Sequence, residues 1–381
     1  MIIGLVGKPS SGKSSFFKAA TMIDVKISPV PFTTIKPTIG IGYVVIDCVE
    51  KEFNVRCNPK YGYCKNGKRF IPVKLVDVGG LIPGSHLGKG IGNQFLDEIR
   101  QASALIQVVD ASGLTDEEGN PTKGFDPRKE IEFLENEIDS WFESVIKRNI
   151  EKTKLPTSKS DLINFLHEKL SGLEITKSQL SLALEKTSLD NIREFARILR
   201  KESKKVIIAA NKIDLPSSKE NFEKLKNEYK NMVPTSAESE IALKKASEKG
   251  LLDYTVGDGF EIKGSLDENQ KKGLEFMKRE VIDKYGSTGI QECLNKAVFE
   301  ILNYIAVYAV ANANKLTDKE GNILPDVHLV PRTTTAKELA FRIHTSIGEK
   351  FIAGIDAKTK RKLSADYQLK NNDAVEIAFA K

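Results

Sequence analysis

Eight residues near the start of the chain, Gly7-Lys8-Pro9-Ser10-Ser11-Gly12-Lys13-Ser14, fit G-x-x-x-x-G-K-[ST] and directly follow the apolar run Ile2-Ile3-Gly4-Leu5-Val6. Glycines in such a turn let successive backbone N–H groups curl around an anion with no Cβ in the way. A helix opening at Ser14 adds the partial positive charge of its N-terminus. In this pattern Lys13 reaches the β- and γ-phosphates of a nucleotide and the Ser14 hydroxyl ligates Mg²⁺. Gly7, Ser10, Ser11, Gly12 and Ser15 complete the candidate phosphate cradle.

Three further motifs stand behind apolar runs of their own. Asp77-Val78-Gly79-Gly80 follows 70–76: a carboxylate there can hold Mg²⁺ through its water shell, and Gly80 offers a bare N–H to a γ-phosphate. Asn211-Lys212-Ile213-Asp214 follows 206–210. The Asp214 carboxylate can accept two N–H groups from the guanine edge, Asn211 can tie the base to the phosphate loop, and the Lys212 stem can lie over the base plane. Adenine lacks that donor pair and would leave a buried carboxylate unpaired, so the motif selects GTP and GDP. Ser236-Ala237, after Val233-Pro234, would give a backbone N–H to the guanine O6. Between the first two motifs, Pro31-Phe32-Thr33-Thr34 supplies a threonine that can complete the Mg²⁺ shell; Thr34 is the choice and Thr33 the alternative.

Positioning these motifs takes a sheet buried on both faces, with the functional turns at the carboxyl ends of its strands. The runs 2–6, 70–76, 105–109 and 206–210 are short and apolar enough to supply it. Residues 39–49 and 52–57 read as further strands, and Asn66-Gly67 as a hairpin turn. After Asp110 the pattern turns helical. Ile131, Leu134, Ile138, Trp141, Phe142 and Val145 recur at steps of three and four, and leucine-rich steps continue to Leu184. This predicts a helical subdomain shaped as a hairpin or coiled-coil-like arm. The last 80 or so residues run strand, strand, helix, strand, strand, a β-grasp-like order. The expected organisation is 1–110, first part of the nucleotide domain; 111–205, helical insertion; 206–302, its second part with connecting helices; and 303–381, the β-grasp module.

Composition narrows the remaining choices. With 381 residues, 40% hydrophobic and 29% charged, the chain can build more than one ordinary core, and no apolar run approaches a membrane span. A cytoplasmic monomer is expected. Residues 147–205 hold 14 lysines and arginines against 8 acidic residues, an excess equal to the net charge of the whole chain, +6. Such a segment is either a solvated helix face or an RNA-contacting element. The four cysteines are too scattered for a disulfide framework. Cys57 and Cys64 flank a turn-rich stretch and lack the paired C-x-x-C spacing of a metal site, so they are read as reduced structural thiols on a hairpin.

Taken together, these motifs resemble translation-factor-class GTPases of the Obg branch. The stretch from Gly79-Gly80-Leu81 to Gly88-Lys89-Gly90-Ile91-Gly92-Asn93-Gln94-Phe95-Leu96 is similar to that branch's glycine-rich second switch. The helical insertion is similar to the YchF subfamily. Ala336-Lys337-Glu338-Leu339-Ala340-Phe341-Arg342-Ile343-His344 and Asp366-Tyr367-Gln368-Leu369 resemble a TGS module. The resemblance implies an α/β P-loop GTPase domain with an inserted helical subdomain and a C-terminal β-grasp (TGS-like) domain. It also implies GTP and Mg²⁺ as ligands, and ribosome or RNA contact through the appendages.

Three departures matter. Many YchF-type proteins carry Glu where Asp214 stands and prefer ATP, so the intact motif argues for GTP. Ser10 stands where potassium-stimulated members often have Asn. Asn372 stands where TGS modules often place Gly, and Asn is the next most tolerant of positive φ. Leu81 occupies the position of a water-orienting Gln in Ras-like proteins, so slow intrinsic hydrolysis is expected and no catalytic residue is assigned; His86 nearby receives no role. The alternatives are an RNA- or ribosome-binding module with purely structural nucleotide, and an ATP-preferring YchF-like hydrolase.

Overall fold

The computed structural model describes residues 1–22, 38–79, 99–151, 153–173 and 175–380. The chain divides into two units, Met1–Gly42 with Lys74–Cys293 and Tyr43–Val73 with Leu294–Lys381. Thr34, Gly80, Leu81, His86 and the glycine-rich stretch after Gly80 lie outside the described residues.

The strands of the principal sheet are β1 (Ile2–Val6), β2 (Thr38–Asp47), β3 (Tyr63–Lys65), β4 (Lys68–Asp77), β5 (Ala104–Asp110), β6 (Val206–Asn211) and β7 (Met232–Pro234). Among the described residues they lie in the order β2-β4-β1-β5-β6-β7, with β3 on β4. The pairs β4–β1, β1–β5, β5–β6 and β6–β7 are parallel. Parallel strands are normally covered on both faces, and β5 is buried along its whole length. Because these strands share a direction, Val6, Asp77, Asp110, Asn211 and Pro234 end on one edge. The phosphate loop, the turn from Asp77, Asn211-Lys212-Ile213-Asp214 and Ser236-Ala237 begin at that edge.

Helices Pro127–Ile150, Lys159–Lys169, Lys177–Lys186 and Ile192–Ser203 fill the stretch between β5 and β6. They do not form the expected free arm. Leu134, Phe142, Leu166, Leu180 and Phe195 share one core with Val6, Val76 and Leu105 of the sheet. The physical reason is the width of the apolar stripe. Ile131, Leu134, Ile138, Trp141 and Phe142 cover more of the helix than a two-position coiled-coil seam, and such a face needs a broad partner. Asp126 caps the first of these helices and Pro127 opens it, which fixes where the chain leaves the loop after β5. Arg200 grips Asp139 through Nε (2.7 Å) and Nη2 (3.3 Å), locking the last helix to the first. A small hairpin, β8 (Leu252–Tyr254) with β9 (Phe260–Ile262), and the helical segment from Glu268 complete this unit.

The second unit carries β10 (Tyr304–Val310), β11 (Asp326–Pro331), β12 (Phe351–Asp356), β13 (Lys362–Leu363) and β14 (Ala374–Phe379), ordered β11-β10-β14-β12-β13. Alternation along β10 divides its residues between two cores. Ile305 and Val307 pack with Leu339 of helix Ala336–Ile343, whereas Tyr308 packs with Cys48, Val49 and Leu324. That helix starts with a full capping box between Thr335 and Glu338. Residues 52–57, expected as a strand, are instead a helical turn, Glu50–Phe53, followed by loop. Asn54 at φ 50° closes the turn, donating its N–H to the carbonyl oxygens of Glu50 and Lys51. Among the described residues no helix is long and apolar enough to cross a membrane.

Candidate functional site

The turn after β1 is built by positive φ at Ser10 (62°) and Gly12 (90°). Gly12 has a further reason to be glycine: a Cβ there would lie 2.2 Å from the Asn211 amide nitrogen. The loop delivers the chain into helix Lys13–Thr21, so Lys13, Ser14 and Ser15 form its first turn. The Ser11 hydroxyl is buried and has no hydrogen-bond partner among the described residues. Lys13 donates to the Oδ1 of Asp77, a fully buried carboxylate at the end of β4, and Ser14 Oγ stands 3.4 Å from Asp77 Oδ2. A hydroxyl and a carboxylate side by side are hard oxygen donors, the type Mg²⁺ takes, so the donor set fits that ion.

Asn211, the last residue of β6, joins the two sides of the site. Its Nδ2 donates to the Ser11 carbonyl (3.1 Å) and its Oδ1 accepts the N–H of Ala237 (3.2 Å). Lys212 follows at φ 62°, its carbonyl accepting the Ser218 hydroxyl at 2.6 Å. Ser236 caps helix Ala237–Glu248 and donates to Asp214 Oδ1 at 2.8 Å, bringing together the two residues expected to read the base. The Ser236 N–H in turn donates to the Thr288 carbonyl. Gly289 allows that neighbouring loop to approach, since a Cβ there would sit 1.9 Å from the Pro234 carbonyl oxygen. The structure therefore brings Gly7, Ser10, Ser11, Gly12, Lys13, Ser14, Ser15 and Asp77 around the first loop. Asn211, Lys212, Asp214, Ser236 and Ala237 gather around the second.

Sequence reasoning missed a charged layer beneath these loops. Lys212 Nζ lies 2.8 Å from Asp110 Oδ2, and Asp110 also accepts from the Ser112 N–H (3.0 Å) and from Thr115 Oγ1 (2.6 Å). These contacts offset the cost of burial and hold the Asp110 carboxyl below its ordinary range. Lys8 points away from the phosphate side: its Nζ donates to Thr115 Oγ1 (2.5 Å), sits 3.7 Å from Glu130 Oε2 and lies over the Phe125 ring. Glu130 also accepts the Asp110 N–H at 3.2 Å. The visible signal was Asp110 at the carboxyl end of a buried strand, the position where ligand-side groups gather in such sheets.

A parallel sheet with these loops at its carboxyl edge is the architecture of a P-loop GTPase domain. Comparison with known proteins agrees along the chain. Residues 2–144 match the family described as 50S ribosome-binding GTPase, residues 209–312 the Obg-like GTPase YGR210-like, G4 motif-containing domain, and residues 317–378 the TGS domain. An uncharacterized GTP-binding protein, MJ1332, of Methanocaldococcus jannaschii is 46% identical, covering 100% of this chain and 99% of its own. The crystal structure of a GTP binding protein from Pyrococcus horikoshii OT3 superposes with TM-score 0.75 at 35% identity, over 100% of both chains. The Schizosaccharomyces pombe YchF GTPase shares the fold at TM-score 0.58 and 18% identity, over 99% and 97% of the two chains. The chain belongs to the YGR210-like Obg-like GTPases, with a P-loop GTPase domain and a C-terminal TGS domain.

Burial outweighs the nearby Lys8 ammonium and pushes the Glu130 carboxyl up to about 8. Glu130 therefore holds its proton more tightly folded than unfolded. The stability it contributes is present at low pH and is lost as pH rises from the ordinary carboxylate range through about 8. Glu130→Gln should remove this loss, so the wild-type melting temperature falls relative to the variant between about pH 5 and about pH 8. Parallel melting curves across that window would show that Glu130 is charged throughout.

Proposed function

We propose that this chain is a cytoplasmic, monomeric GTP-binding switch with slow Mg²⁺-dependent GTP hydrolysis. The observation that carries the reading is the junction at Asn211, which holds the phosphate loop and the base-reading turn in one register. In this reading Gly7, Ser10, Ser11, Gly12 and Ser15 cradle the phosphates with their backbone N–H groups. Lys13, paired with Asp77 here, turns to the β- and γ-phosphates. Ser14 and Asp77, with Thr34, hold Mg²⁺; Gly80 meets the γ-phosphate. When bound, the ion supplies positive charge to the phosphate oxygens.

Asp214 accepts the two guanine donors with Ser236 fixing its carboxylate. The Ser236-Ala237 turn borders the O6 side of the base, its Ala237 N–H held by Asn211 Oδ1, and the Lys212 stem covers the base while its ammonium stays on Asp110. Asp214 rather than Glu at this position favours GTP over the ATP alternative. Leu81 gives water no hydrogen-bond partner, which supports slow intrinsic turnover and leaves the catalytic residue unassigned.

The partner reading is a ribosomal or RNA surface, supported by the description of the family matched by residues 2–144. In the basic segment 147–205, Lys159, Lys186, Arg193, Arg197 and Arg200 are engaged by carboxylates, and Lys204 Nζ by the carbonyls of Arg100 and Ala102. In the TGS domain Lys358 pairs with Glu52 and Lys360 donates to the Ala313 carbonyl. Arg361 and Lys362 are exposed beside them and are the cations proposed to meet phosphate.

Competition titrations test the base reading. GTP and GDP should bind at least about tenfold more tightly than ATP and ADP, and Asp214→Asn should shift preference toward xanthine nucleotides. Equal affinity for ATP would contradict it. Reversing Arg361 and Lys362 to glutamate should reduce co-sedimentation with ribosomes and weaken its salt dependence while GTP affinity holds; unchanged co-sedimentation would place the contact elsewhere.

A further inference from the structure

Away from the nucleotide loops, the hairpin that joins β2 to β4 gathers four ligand-bearing side chains. Cys48 directly follows β2, Glu50 opens the helical turn, Cys57 lies in the loop and Cys64 sits on β3. Their ligand atoms all lie within 4.8 Å of one another. All three thiols are free, and Cys48 is buried. Reading Cys57 and Cys64 alone gave no metal spacing. Two more donors, far enough back in sequence to look unrelated, fold onto them.

We propose that Cys48, Cys57, Cys64 and Glu50 bind one structural Zn²⁺ ion. Three thiolates and a carboxylate make a tetrahedral donor set, and thiolates select a borderline-soft ion over Mg²⁺ or Ca²⁺. At a Zn–S distance of about 2.3 Å, tetrahedral sulfurs stand about 3.8 Å apart, so closing the cluster on the ion takes movement of about 1 Å at most. The turn at Cys48 and Glu50, the loop at Cys57 and β3 at Cys64 supply four protein ligands, which makes the site closed, as structural zinc sites are, with no position kept open for substrate. Binding displaces the thiol protons to solvent.

The surroundings suit such an ion. Arg69 is fully buried, and its Nη1 donates to Cys57 Sγ at 3.1 Å, so a guanidinium offsets part of the negative charge that three thiolates and a carboxylate leave on the complex. The Cys57 N–H donates to Glu50 Oε2 at 3.0 Å and orients that carboxylate. Tyr308, fully buried on β10, directs its hydroxyl to Cys48 Sγ at 3.9 Å. Arg69 also donates to the carbonyls of Leu324 (3.1 Å) and Pro325 (2.9 Å), and the Asn58 N–H to that of Ile323 (2.9 Å). The ion would thus fasten the loop between Cys57 and Cys64 against the segment that enters β11, beside the apolar core that Val49 and Leu324 share. This inference is independent of the nucleotide reading.

The test uses full-length protein, expressed with zinc in the medium and purified with reductant and without chelator. Elemental analysis should find roughly one zinc per chain, released in step with titration of the thiols by an organomercurial. Replacing zinc with Co²⁺ should give thiolate-to-cobalt charge transfer and the intense visible bands of a tetrahedral site. Cys57→Ser and Cys64→Ser should lose the metal, and Cys293→Ser should keep it. Glu50→Gln, which leaves the thiols in place, should retain Co²⁺ with shifted visible bands and weaker affinity. Wild-type protein that carries no zinc and develops no cobalt charge-transfer band would overturn the proposal, with no variant needed. So would iron–sulfur absorbance, or a Cys57–Cys64 disulfide found by mass spectrometry in protein prepared without reductant.

Discussion

One carboxamide sets the geometry on which the nucleotide site depends. Asn211 is 2% exposed and spends both ends of its side chain, donating to the loop after β1 and accepting from the turn after β7. Those two strands are not neighbours; β5 and β6 stand between β1 and β7. A residue at the end of β6 is placed to span the gap, and Gly12 must lack a Cβ to admit it. An unpaired buried amide costs about 1 to 3 kcal/mol, so parting either loop from Asn211 carries a penalty on that scale.

Beneath that junction two lysines are charge-balanced, Lys13 by Asp77 and Lys212 by Asp110, while Lys8 is held by hydrogen bonds to Thr115. Buried ion pairs contribute little net stability, because desolvation offsets most of the Coulomb attraction. Their worth lies in direction. Asp110 draws the Lys212 ammonium inward and leaves its stem lying across the ligand side, and Thr115 holds Lys8 away from the phosphate loop. Of the two lysines in that loop, this leaves Lys13 facing the ligand side.

Much of this was legible because local rules governed it. Glycine and serine spacing described the first loop, Asn66-Gly67 made its turn at φ 53° and 74°, and Asn372 took the positive φ (69°) expected of a glycine position. What was not legible depended on partners distant in sequence. Lys8 meets Thr115 across 107 residues, and no spacing rule reaches that far. Periodicity described the helices after β5 but not what covered them, so an arm was expected where a shared core formed. The stretch 52–57 misled because a helical turn closed by Asn54 is too short to show a period. Cys48 was overlooked as a neighbour of Cys57 and Cys64 because the intervening turn, not the spacing, brings it round.

Nucleotide affinity of Asn211→Ala measures the central claim most directly, read by calorimetric titration with GDP beside circular dichroism and thermal melting. If Asn211 holds both loops in register, the variant keeps its fold and loses about 100-fold in affinity, equivalent to about 3 kcal/mol, with the preference for guanine over adenine reduced as well. Affinity and base preference within about twofold of wild type would contradict the account, showing that each loop is positioned by its own strand and that the bridge between them is incidental.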